Sequence, residues 1–398
     1  MILIDIGVFV LTLYCFLSAF NYFMATVIFL VEHKKINRTN INQTNIGGGR
    51  SKYLILIPAH NEEKVIGRLL DSIANLDYPR NMITSCVICD NCSDDTEEIA
   101  TSRGSMIVRR IDETKRGKGY AIEWALSQID IERFNVIVMT DADTTLDRDI
   151  LIKLDAEFSP ETTQVVQCYN GVINPDDTPL TRLISLARAL EIIYMTARSS
   201  LGLTVHLIGN GMCFRPEILK QFPWTAFSIA EDFEYFCILA LNGIRIQYSY
   251  AARVFLQEEK KLSHAKTQRQ RWSGGRFSLI VRYAPKIFWS GLKKGSIEQI
   301  EAALMLLLPN PSLLGNVLVF TLALALLLTS WLLSKIFIVT AFLFLFLYFT
   351  SSFLISGISG KKVMSMLLIP VYLVWKGVID LGAVLGRKKN QWVKTSRH

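Results

Sequence analysis

Two aspartates one residue apart carry the sharpest local signal in the chain. Asp141 and Asp143 lie in the segment TDADT, directly after the apolar run VIVM. Two carboxylates with this spacing at the end of a strand can hold a hard divalent cation, which keeps water ligands and bridges substrate phosphates. The spacing is explained equally well by a turn in which Thr144 or Thr145 caps a following helix.

Other charged residues could act together with these aspartates. Asp90 begins the turn DNCSDDT, and Lys118 lies in the basic segment KRGKGYA, which is flexible enough to approach a phosphate. Glu231 and Asp232 open a helical stretch. Acids at that position are explained about equally by a favourable interaction with the helix dipole and by a general base that deprotonates an acceptor hydroxyl.

Three of the seven cysteines have the spacing C-x-x-C-x-x-C, which some metal sites use. Cys86 and Cys89 fall on opposite faces of a strand-like run, Cys92 follows it, and no fourth ligand lies nearby. We therefore expect small buried hydrophobic residues, reduced in a cytoplasmic domain, and regard a metal site as the less favoured alternative.

Short β-rich runs alternate with amphipathic helices in the segment around these residues, which predicts an α/β domain with a mostly parallel sheet. Strands are predicted at 53–58, 83–90, 106–110 and 134–140, and helices after an N-cap at Asn61, at 95–103 and at 118–129. Ligands of open α/β sheets bind beyond the carboxyl ends of the strands. Asp90, Asp141 and Asp143 follow strand ends, where a site is expected.

The composition indicates a membrane protein. Of the 398 residues 51% are hydrophobic and 20% are charged, with a net charge of +8, which excludes a disordered or collagen-like chain. The apolar residues concentrate in uncharged runs at 6–31, 312–333 and 336–357. At ~1.5 Å per residue the first run exceeds the ~30 Å hydrocarbon core, and the other two predict a transmembrane hairpin.

A fourth apolar stretch at 363–385 is a weaker candidate, because Pro370, Lys376 and Asp380 interrupt it. We expect it to lie along the membrane interface, and a fourth crossing is the alternative.

Basic residues predict the orientation. His33, Lys34, Lys35 and Arg38 follow the first apolar run, which places its end and the following domain in the cytoplasm. The expected location is a bacterial cytoplasmic membrane, reached by an uncleaved signal-anchor. The positive charge lies at membrane boundaries and near the aspartates, without a nucleic-acid-binding motif, so we expect no nucleic acid partner.

These observations divide the chain into six parts. They are an anchor at 1–31, a linker at 32–50, a cytoplasmic domain at 51–285, an interfacial segment at 286–311, a transmembrane hairpin at 312–357, and an interfacial helix with a basic tail at 358–398.

Seven segments also occur in the order of a known family. They are IPAHNEE (57–63), DNCSDDT (90–96), KRGKGYA (115–121), TDADT (140–144), GNGMCFR (209–215), AEDFEY (230–235) and QRQRW (268–272). In this the chain resembles the membrane-integrated family 2 glycosyltransferases, among them cellulose synthase, hyaluronan synthase and the chitooligosaccharide synthase of nodulation. D-x-D, E-D and Q-x-x-R-W in this order are jointly very specific. The resemblance covers roughly residues 50–285.

The resemblance implies a GT-A fold and an inverting transfer from a UDP-sugar, with UDP-GlcNAc or UDP-Glc favoured. Asp90, Lys118 and Asp141 would bind the nucleotide sugar. Asp143 would ligate Mg²⁺ or Mn²⁺ on the diphosphate, and Asp232 would be the catalytic base.

The resemblance also implies further contacts with the donor and with the acceptor. Gln268, Arg271 and Trp272 would lie on an interfacial helix that closes over the donor, with Trp272 also on the acceptor path. Asn210 would contact an acceptor hydroxyl, although a glycine-rich hairpin explains its segment as well. Where cellulose synthases have a Gln-Thr-Pro element, the segment VVQCYN offers only Gln167, which we expect on the acceptor side.

Three functions fit these features. The first makes a β-linked oligo- or polysaccharide by transfer to a glycan acceptor, and the second transfers one sugar to a lipid such as a polyprenyl phosphate or glycolipid. The third is a non-catalytic membrane subunit of a polysaccharide synthesis complex, which the intact acidic positions disfavour. Expected partners are the UDP-sugar donor, a glycan or lipid-linked acceptor and membrane lipids. Because three spans leave little protein for a polymer channel, an export channel or other synthesis subunits are further candidates.

Overall fold

The structure is a computed structural model that describes residues 2–39, 51–258, 260, 262–329 and 331–384. The side chains of residues 34–39, 262–272, 381, 383 and 384 also fall outside the described part. Most of the predicted linker and the basic tail after residue 384 are therefore outside the described residues.

Eight strands form the sheet of the central domain. They are β1 (Tyr53–Ala59), β2 (Ile83–Asp90), β3 (Met106–Arg110), β4 (Val136–Met139), β5 (Thr144–Leu146), β6 (Val165–Val172), β7 (Met212–Phe214) and β8 (Ile246–Leu256).

Helices cover the sheet and continue into the membrane part. They are α1 (Ile2–Thr39), α2 (Ile66–Ala74), α3 (Thr96–Ser102), α4 (Lys118–Gln128), α5 (Ile150–Phe158), α6 (Pro179–Ser200), α7 (Pro216–Gln221), α8 (Glu231–Leu241), α9 (Leu262–Lys294), α10 (Ile297–Leu307), α11 (Pro311–Leu328), α12 (Leu332–Ser351), α13 (Phe353–Ser356), α14 (Gly360–Met366) and α15 (Ile369–Val384). Two short 3₁₀ turns lie at Arg80–Met82 and Ile131–Arg133.

The strands form a single mixed sheet in the order β3-β2-β1-β4-β7-β6-β8-β5. Four neighbouring pairs are parallel and three are antiparallel, which confirms the predicted mostly parallel α/β sheet. β1 lies inside the parallel half, between β2 and β4. Its side chains alternate between two cores, with Leu54 and Leu56 on one face and Tyr53, Ile55 and Ile57 on the other. This explains why its sequence is a continuous apolar run.

One local prediction was wrong. Asn61 does not cap α2, because that helix begins at Ile66 and Val65 occupies the N-cap. Asn61 instead adopts a left-handed conformation with φ 56° and accepts a hydrogen bond from the Ser93 backbone N–H at 2.7 Å. Asparagine tolerates this conformation better than most residues, so the side chain joins two loops at the sheet edge.

The turn after the aspartates also differs from the helix-cap alternative. Thr144 and Thr145 lie in β5, which pairs with β8, and α5 begins only at Ile150. Strand pairing rather than a helix cap therefore determines the path of the chain after Asp143.

Three helices of the described chain are long and apolar enough to span a membrane: Ile2–His33, Pro311–Leu328 and Leu332–Ser356. The first belongs to α1, which extends to Thr39 and so passes the predicted end of the anchor at residue 31. The segments Gly360–Met366 and Ile369–Asp380 would together make a fourth span bent by 51°, or a re-entrant loop.

α6 connects the sheet domain to these apolar helices. It begins at Pro179, and the side chain of the N-cap residue Thr178 accepts a hydrogen bond from the Thr181 N–H. Further along α6, the Tyr194 ring lies 5.2 Å from the ring of Tyr22, which lies 4.9 Å from that of Tyr348. Tyr348 of α12 also donates a hydrogen bond to the Leu190 carbonyl of α6 at 2.8 Å, so α6 packs against both α1 and α12.

A charged pair in α15 attaches that helix to α9. The Lys376 ammonium forms an ion pair with Asp380 and donates a hydrogen bond to the Ser273 hydroxyl at 2.9 Å. Ser273 in turn donates to Asp380 Oδ1 at 2.7 Å. Lys376 is 8% exposed and Asp380 7% exposed, so each charge depends on the other for compensation.

We predict that Lys376→Met destabilises the protein by about 3 kcal/mol, because it leaves a buried carboxylate without its cation. The double variant Lys376→Met/Asp380→Asn should lose less stability, since it removes both charges. Melting temperatures of the three purified proteins in one detergent test this. A double variant less stable than Lys376→Met would contradict the pairing argument.

Candidate functional site

The carboxyl ends of the parallel strands open into a large cleft of about 3080 Å³. Six of the predicted site residues line it, namely Asp90, Lys118, Asp141, Asp143, Asn210 and Asp232. They come from five separate parts of the sequence. The topology brings them together because β1, β2 and β4 run parallel and end at the same edge.

Asp90 is held at the end of β2 by an arginine from the neighbouring strand. Arg110 Nη1 donates to Asp90 Oδ1 at 2.7 Å, and the Arg110 side chain is almost fully buried. Burial raises the pKa of Asp90, and the guanidinium opposes this shift. The β2–β3 register places the two residues side by side, so the sequence signal that could have revealed Arg110 was its position at the end of the adjacent strand.

Lys118 lines the cleft between the aspartate turn (residues 140–144), the glycine loop (residues 208–211) and the start of α8. Its ammonium donates to Asp141 Oδ1 and to the Gly209 carbonyl, both at 2.6 Å, and lies 3.7 Å from Glu231 Oε1. Burial alone would lower the pKa of Lys118, but Asp141 and Glu231 outweigh it and raise that pKa above its usual value. The Lys118 ammonium group therefore connects α4 with the aspartate turn, the glycine loop and the start of α8.

The acidic pair at the start of α8 faces this cation. Burial raises the pKa of Glu231 to about 7; Lys118 opposes the shift and the adjacent Asp232 adds to it. Asp232 lies against Gly209, where a Cβ atom would be 3.1 Å from Asp232 Oδ2 and the backbone φ is 74°. Glycine at 209 thus permits the close approach of the loop to the carboxylate.

Asn210 holds the aspartate turn from behind. Its Oδ1 accepts hydrogen bonds from the hydroxyls of Thr140 (2.8 Å) and Thr144 (3.1 Å) and from the Asp141 N–H (3.2 Å). Asn210 is 3% exposed and borders the cleft, and its Nδ2 is buried without a hydrogen-bond partner among the described residues. Its contact with an acceptor stays a prediction.

The predicted acceptor contact of Gln167 has to be corrected. Gln167 is 0% exposed, and its amide donates to the Asn210 carbonyl at 2.8 Å while its Oε1 accepts from the Ile208 N–H at 3.0 Å. All of its polar atoms are thereby engaged with the glycine loop. In this arrangement Gln167 supports the loop from inside the sheet and does not reach the cleft.

The remaining predicted residues, Gln268, Arg271 and Trp272, fall in helix α9, but their side chains lie outside the described part. Their predicted contacts with donor and acceptor therefore stay predictions.

Among the described residues, no group of three or more His, Cys, Asp and Glu side chains could hold a metal ion. A divalent cation would therefore need ligands from phosphate and water as well as from the protein, which is usual for Mg²⁺ at nucleotide sites. The hard carboxylate oxygens of the aspartate turn fit such a cation. Cys86 and Cys89 are buried and Cys92 donates to the Ala59 carbonyl at 3.4 Å, in keeping with the expected structural thiols.

Several known proteins resemble this chain. A family model described as "Glycosyltransferase like family 2" matches residues 50–275. The "Beta-monoglucosyldiacylglycerol synthase" of Nostoc sp. is 27% identical over 249 residues, which are 61% of this chain and 52% of that protein. The "4,4'-diaponeurosporenoate glycosyltransferase" of Staphylococcus aureus is 40% identical over 92 residues, 23% of this chain and 24% of that one. The chain spans about half the length of the first of these relatives.

A solved structure is similar over almost the whole chain. It is a mannosyltransferase from Pyrobaculum calidifontis in complex with GDP-Man and Mn²⁺, with a TM-score of 0.55 and 19% identity. The match covers 93% of this chain and 99% of that one. At this identity the similarity concerns the fold.

The raised pKa of Glu231 predicts a pH-dependent stability. The folded-state pKa of about 7 exceeds the ordinary value of 4.5, so wild-type stability should fall as the pH rises through that interval. Glu231→Gln removes this loss, which is worth about 3 kcal/mol or several degrees of melting temperature. The melting temperature of the variant relative to wild type should therefore rise between pH 5 and pH 8, without nucleotide or divalent cation.

The control for this experiment is Glu132→Gln, which changes an exposed carboxylate paired with Lys220. Its melting temperature should follow that of the wild type across the pH range. If the melting temperature of Glu231→Gln also follows that of the wild type, the pKa of Glu231 is not raised in the folded protein.

Proposed function

The chain belongs to glycosyltransferase family 2 and has a GT-A-like fold, and from this premise we propose that it transfers a hexose from a UDP-sugar to a hydroxyl group of a membrane-borne acceptor. The proposed transfer inverts the anomeric carbon and so makes a β-linkage from an α-linked donor. UDP-GlcNAc and UDP-Glc are the favoured donors.

The proposal of a membrane-borne acceptor rests on the residues that line the cleft. The cleft that contains Asp143 and Asp232 is also lined by apolar residues of α10, α11 and α15, such as Leu304, Leu313 and Leu373. These helices include a candidate membrane span and the bent segment beside it. An acceptor with a lipid tail could thus enter from the membrane side with its hydroxyl directed at the acids. The two curated relatives named above are, by name, enzymes of lipid substrates.

The donor side would be organised by charge. Asp90 would meet the uridine and Lys118 the nucleotide pocket, with Asp141 fixed by Lys118 at 2.6 Å. Asp143 would ligate Mg²⁺ or Mn²⁺, which when bound offsets the negative charge of the leaving diphosphate. Gln268 and Arg271 would close the site from α9.

The transfer itself would be a single displacement. The acceptor oxygen forms a bond to the anomeric carbon while the bond from that carbon to the diphosphate oxygen breaks. The electron pair of the broken bond leaves with UDP, and the acceptor proton passes to Asp232. Asp232 suits this role because Gly209 places the loop against its Oδ2, whereas Glu231 faces Lys118.

The location follows from the donor and the apolar helices. UDP-sugars are cytoplasmic substrates, and the basic residues after the first span favour a cytoplasmic domain by the positive-inside rule. We therefore propose an integral protein of a bacterial cytoplasmic membrane, divided as the sequence predicts. On this view the domain is held at the membrane because its acceptor is there.

Extension of a glycan is the second candidate, and the Q-x-x-R-W segment favours it. The described chain contains three helices apolar enough to span a membrane, or four if the bent pair is one span. A long polymer would therefore need an export channel or other subunits, whereas a lipid-linked glycan would not.

The assigned acids predict loss of turnover. Asp143→Asn and Asp232→Asn should each lower UDP release by at least about a hundredfold, as expected for removal of a cation ligand or a general base. Chelation of divalent cations should stop the wild type as well. The measurement is coupled detection of UDP, with melting temperatures to show that the fold is intact.

Asp130→Asn serves as the control, because Asp130 is exposed and pairs only with Arg133 among the described residues. It should keep wild-type turnover. Retained turnover in both active-site variants would refute the assignment of the site.

The product distinguishes the two candidate functions. We expect the purified enzyme, incubated with bacterial lipids and each of UDP-GlcNAc, UDP-Glc, UDP-GlcA and UDP-Gal, to form a lipid carrying one additional sugar. Mass spectrometry of the lipid extract would show a single added hexose or N-acetylhexosamine. A ladder of several sugars would favour glycan extension instead.

A further inference from the structure

A second polar cluster lies in the cleft beside the proposed reaction centre. Arg188 and Glu191 project from α6, with Arg188 Nη1 donating to Glu191 Oε2 at 3.1 Å. The other oxygen of Glu191 lies 3.3 Å from His206 Nε2. All three side chains line the same cleft as Asp143 and Asp232.

This cluster lies between the acids and the apolar helices. On one side, the His206 ring centroid is 6.3 Å from that of Phe233, the residue that follows Asp232. On the other side, the carbonyl of Leu190, next to Glu191, accepts a hydrogen bond from Tyr348 of α12 at 2.8 Å. The cluster therefore borders both the proposed reaction centre and the apolar helices.

Hydrogen bonds from neighbouring residues hold the cluster in place. The guanidinium of Arg188 also donates to Glu258 Oε1 at 3.3 Å, and Glu258 is 8% exposed. Asn174 holds the backbone of Glu258 through both of its amide atoms, at 2.9 and 3.0 Å. Such a network can present hydrogen-bonding groups to a ligand without first having to become ordered.

The charges of the cluster favour a neutral ligand over an anion. Arg188 is already paired with the two carboxylates of Glu191 and Glu258. Burial alone would raise the pKa of Glu191, but His206, Arg188 and Arg276 outweigh it and keep that pKa well below its usual value. An ionised carboxylate beside guanidinium and imidazole groups offers acceptors and donors together, which matches alcohol hydroxyls because each can both donate and accept.

The surrounding wall is apolar. Toward the membrane, α6 lines the cleft mainly with apolar residues and Tyr194. Arg188 and Glu191 are the charged residues of α6 that line the cleft. A ligand matched to this wall has one hydroxyl-rich end and one apolar end.

We propose that Arg188, Glu191 and His206 form a subsite that binds the hydroxyl-rich head group of the membrane-borne acceptor. This inference deepens the proposed function and rests on it. The subsite selects a neutral head group, such as a sugar or glycerol on a lipid, against a lipid phosphate.

Glu191→Gln tests the subsite, because it keeps the size of the side chain and removes its charge. The matched control is Glu301→Gln. Glu301 also pairs with an arginine of α6, Arg198, and its side chain has the same 25% exposure as that of Glu191, but neither Glu301 nor Arg198 lines the cleft. His206→Gln provides a second change within the subsite should Glu191→Gln fail to fold.

The probes are three photoreactive lipids with a diazirine in one acyl chain: monoglucosyldiacylglycerol, phosphatidic acid and triacylglycerol. Each is added to the full-length protein in phosphatidylcholine nanodiscs, and labelled peptides of α6 are quantified by mass spectrometry. The glucolipid should label the wild type and Glu301→Gln equally and label Glu191→Gln and His206→Gln about tenfold less, as expected for loss of a hydrogen bond to a charged group. Phosphatidic acid and triacylglycerol should label all four proteins weakly.

Two results would overturn the subsite: equal labelling of the wild type and both subsite variants by the glucolipid, or stronger labelling of the wild type by phosphatidic acid. UDP release measured on the same samples keeps the two proposals apart. Selective labelling without any UDP release would overturn the proposed transfer and support the subsite as a lipid-binding site. UDP release with unselective labelling would overturn the subsite and support the proposed transfer.

Discussion

The arrangement of the cleft depends on the ammonium group of Lys118. It lies 2.6 Å from Asp141 Oδ1 and from the Gly209 carbonyl, and 3.7 Å from Glu231. Without this cation, the carboxylates of the aspartate turn and of α8 would repel one another in a partly buried space, where charge interactions are stronger than in water. The same cation holds the glycine loop next to Asp232. It thus brings the cation-binding side and the base side of the proposed reaction together.

Neutral hydrogen bonds fix the other side of the aspartate turn. The Asn210 side chain accepts hydrogen bonds from two threonine hydroxyls and one backbone N–H of residues 140–144, and Gln167 holds the loop that carries Asn210. The turn is therefore constrained by charge on its cleft side and by neutral groups behind it. Preorganisation of this kind positions carboxylates before a ligand arrives, so that little reorganisation is needed during the reaction.

α6 connects the proposed reaction site to the apolar helices. It contributes Arg188 and Glu191 to the cleft, Tyr194 to an aromatic contact with Tyr22 of α1, and the Leu190 carbonyl to a hydrogen bond from Tyr348 of α12. Because one rigid helix carries both sets of residues, the depth of the apolar helices in a bilayer also sets the height of the cleft above it. The pair of Lys376 with Asp380 acts similarly for α9, the helix that carries Gln268 and Arg271.

Much of the domain could be predicted from local patterns. The strands at 53–58, 83–90 and 106–110 agree with the structure to within a residue, because continuous apolar runs bounded by polar turns leave few alternatives. The family, the fold class and the acids at strand ends also follow from the order of short motifs. The three long apolar helices follow from length and composition alone.

The sequence by itself determined the elements and the identities of the reactive groups, because hydrophobic periodicity and residue chemistry are local properties. Only the tertiary structure decided which groups meet. Gln167 lies in a strand beside β7, where pairing turns its amide inward to the glycine loop, and Arg110 reaches Asp90 through the β2–β3 register. Glu191 and His206 meet because a helix and a distant loop pack together. Such contacts depend on side-chain direction and packing between remote segments, which no spacing along the chain specifies.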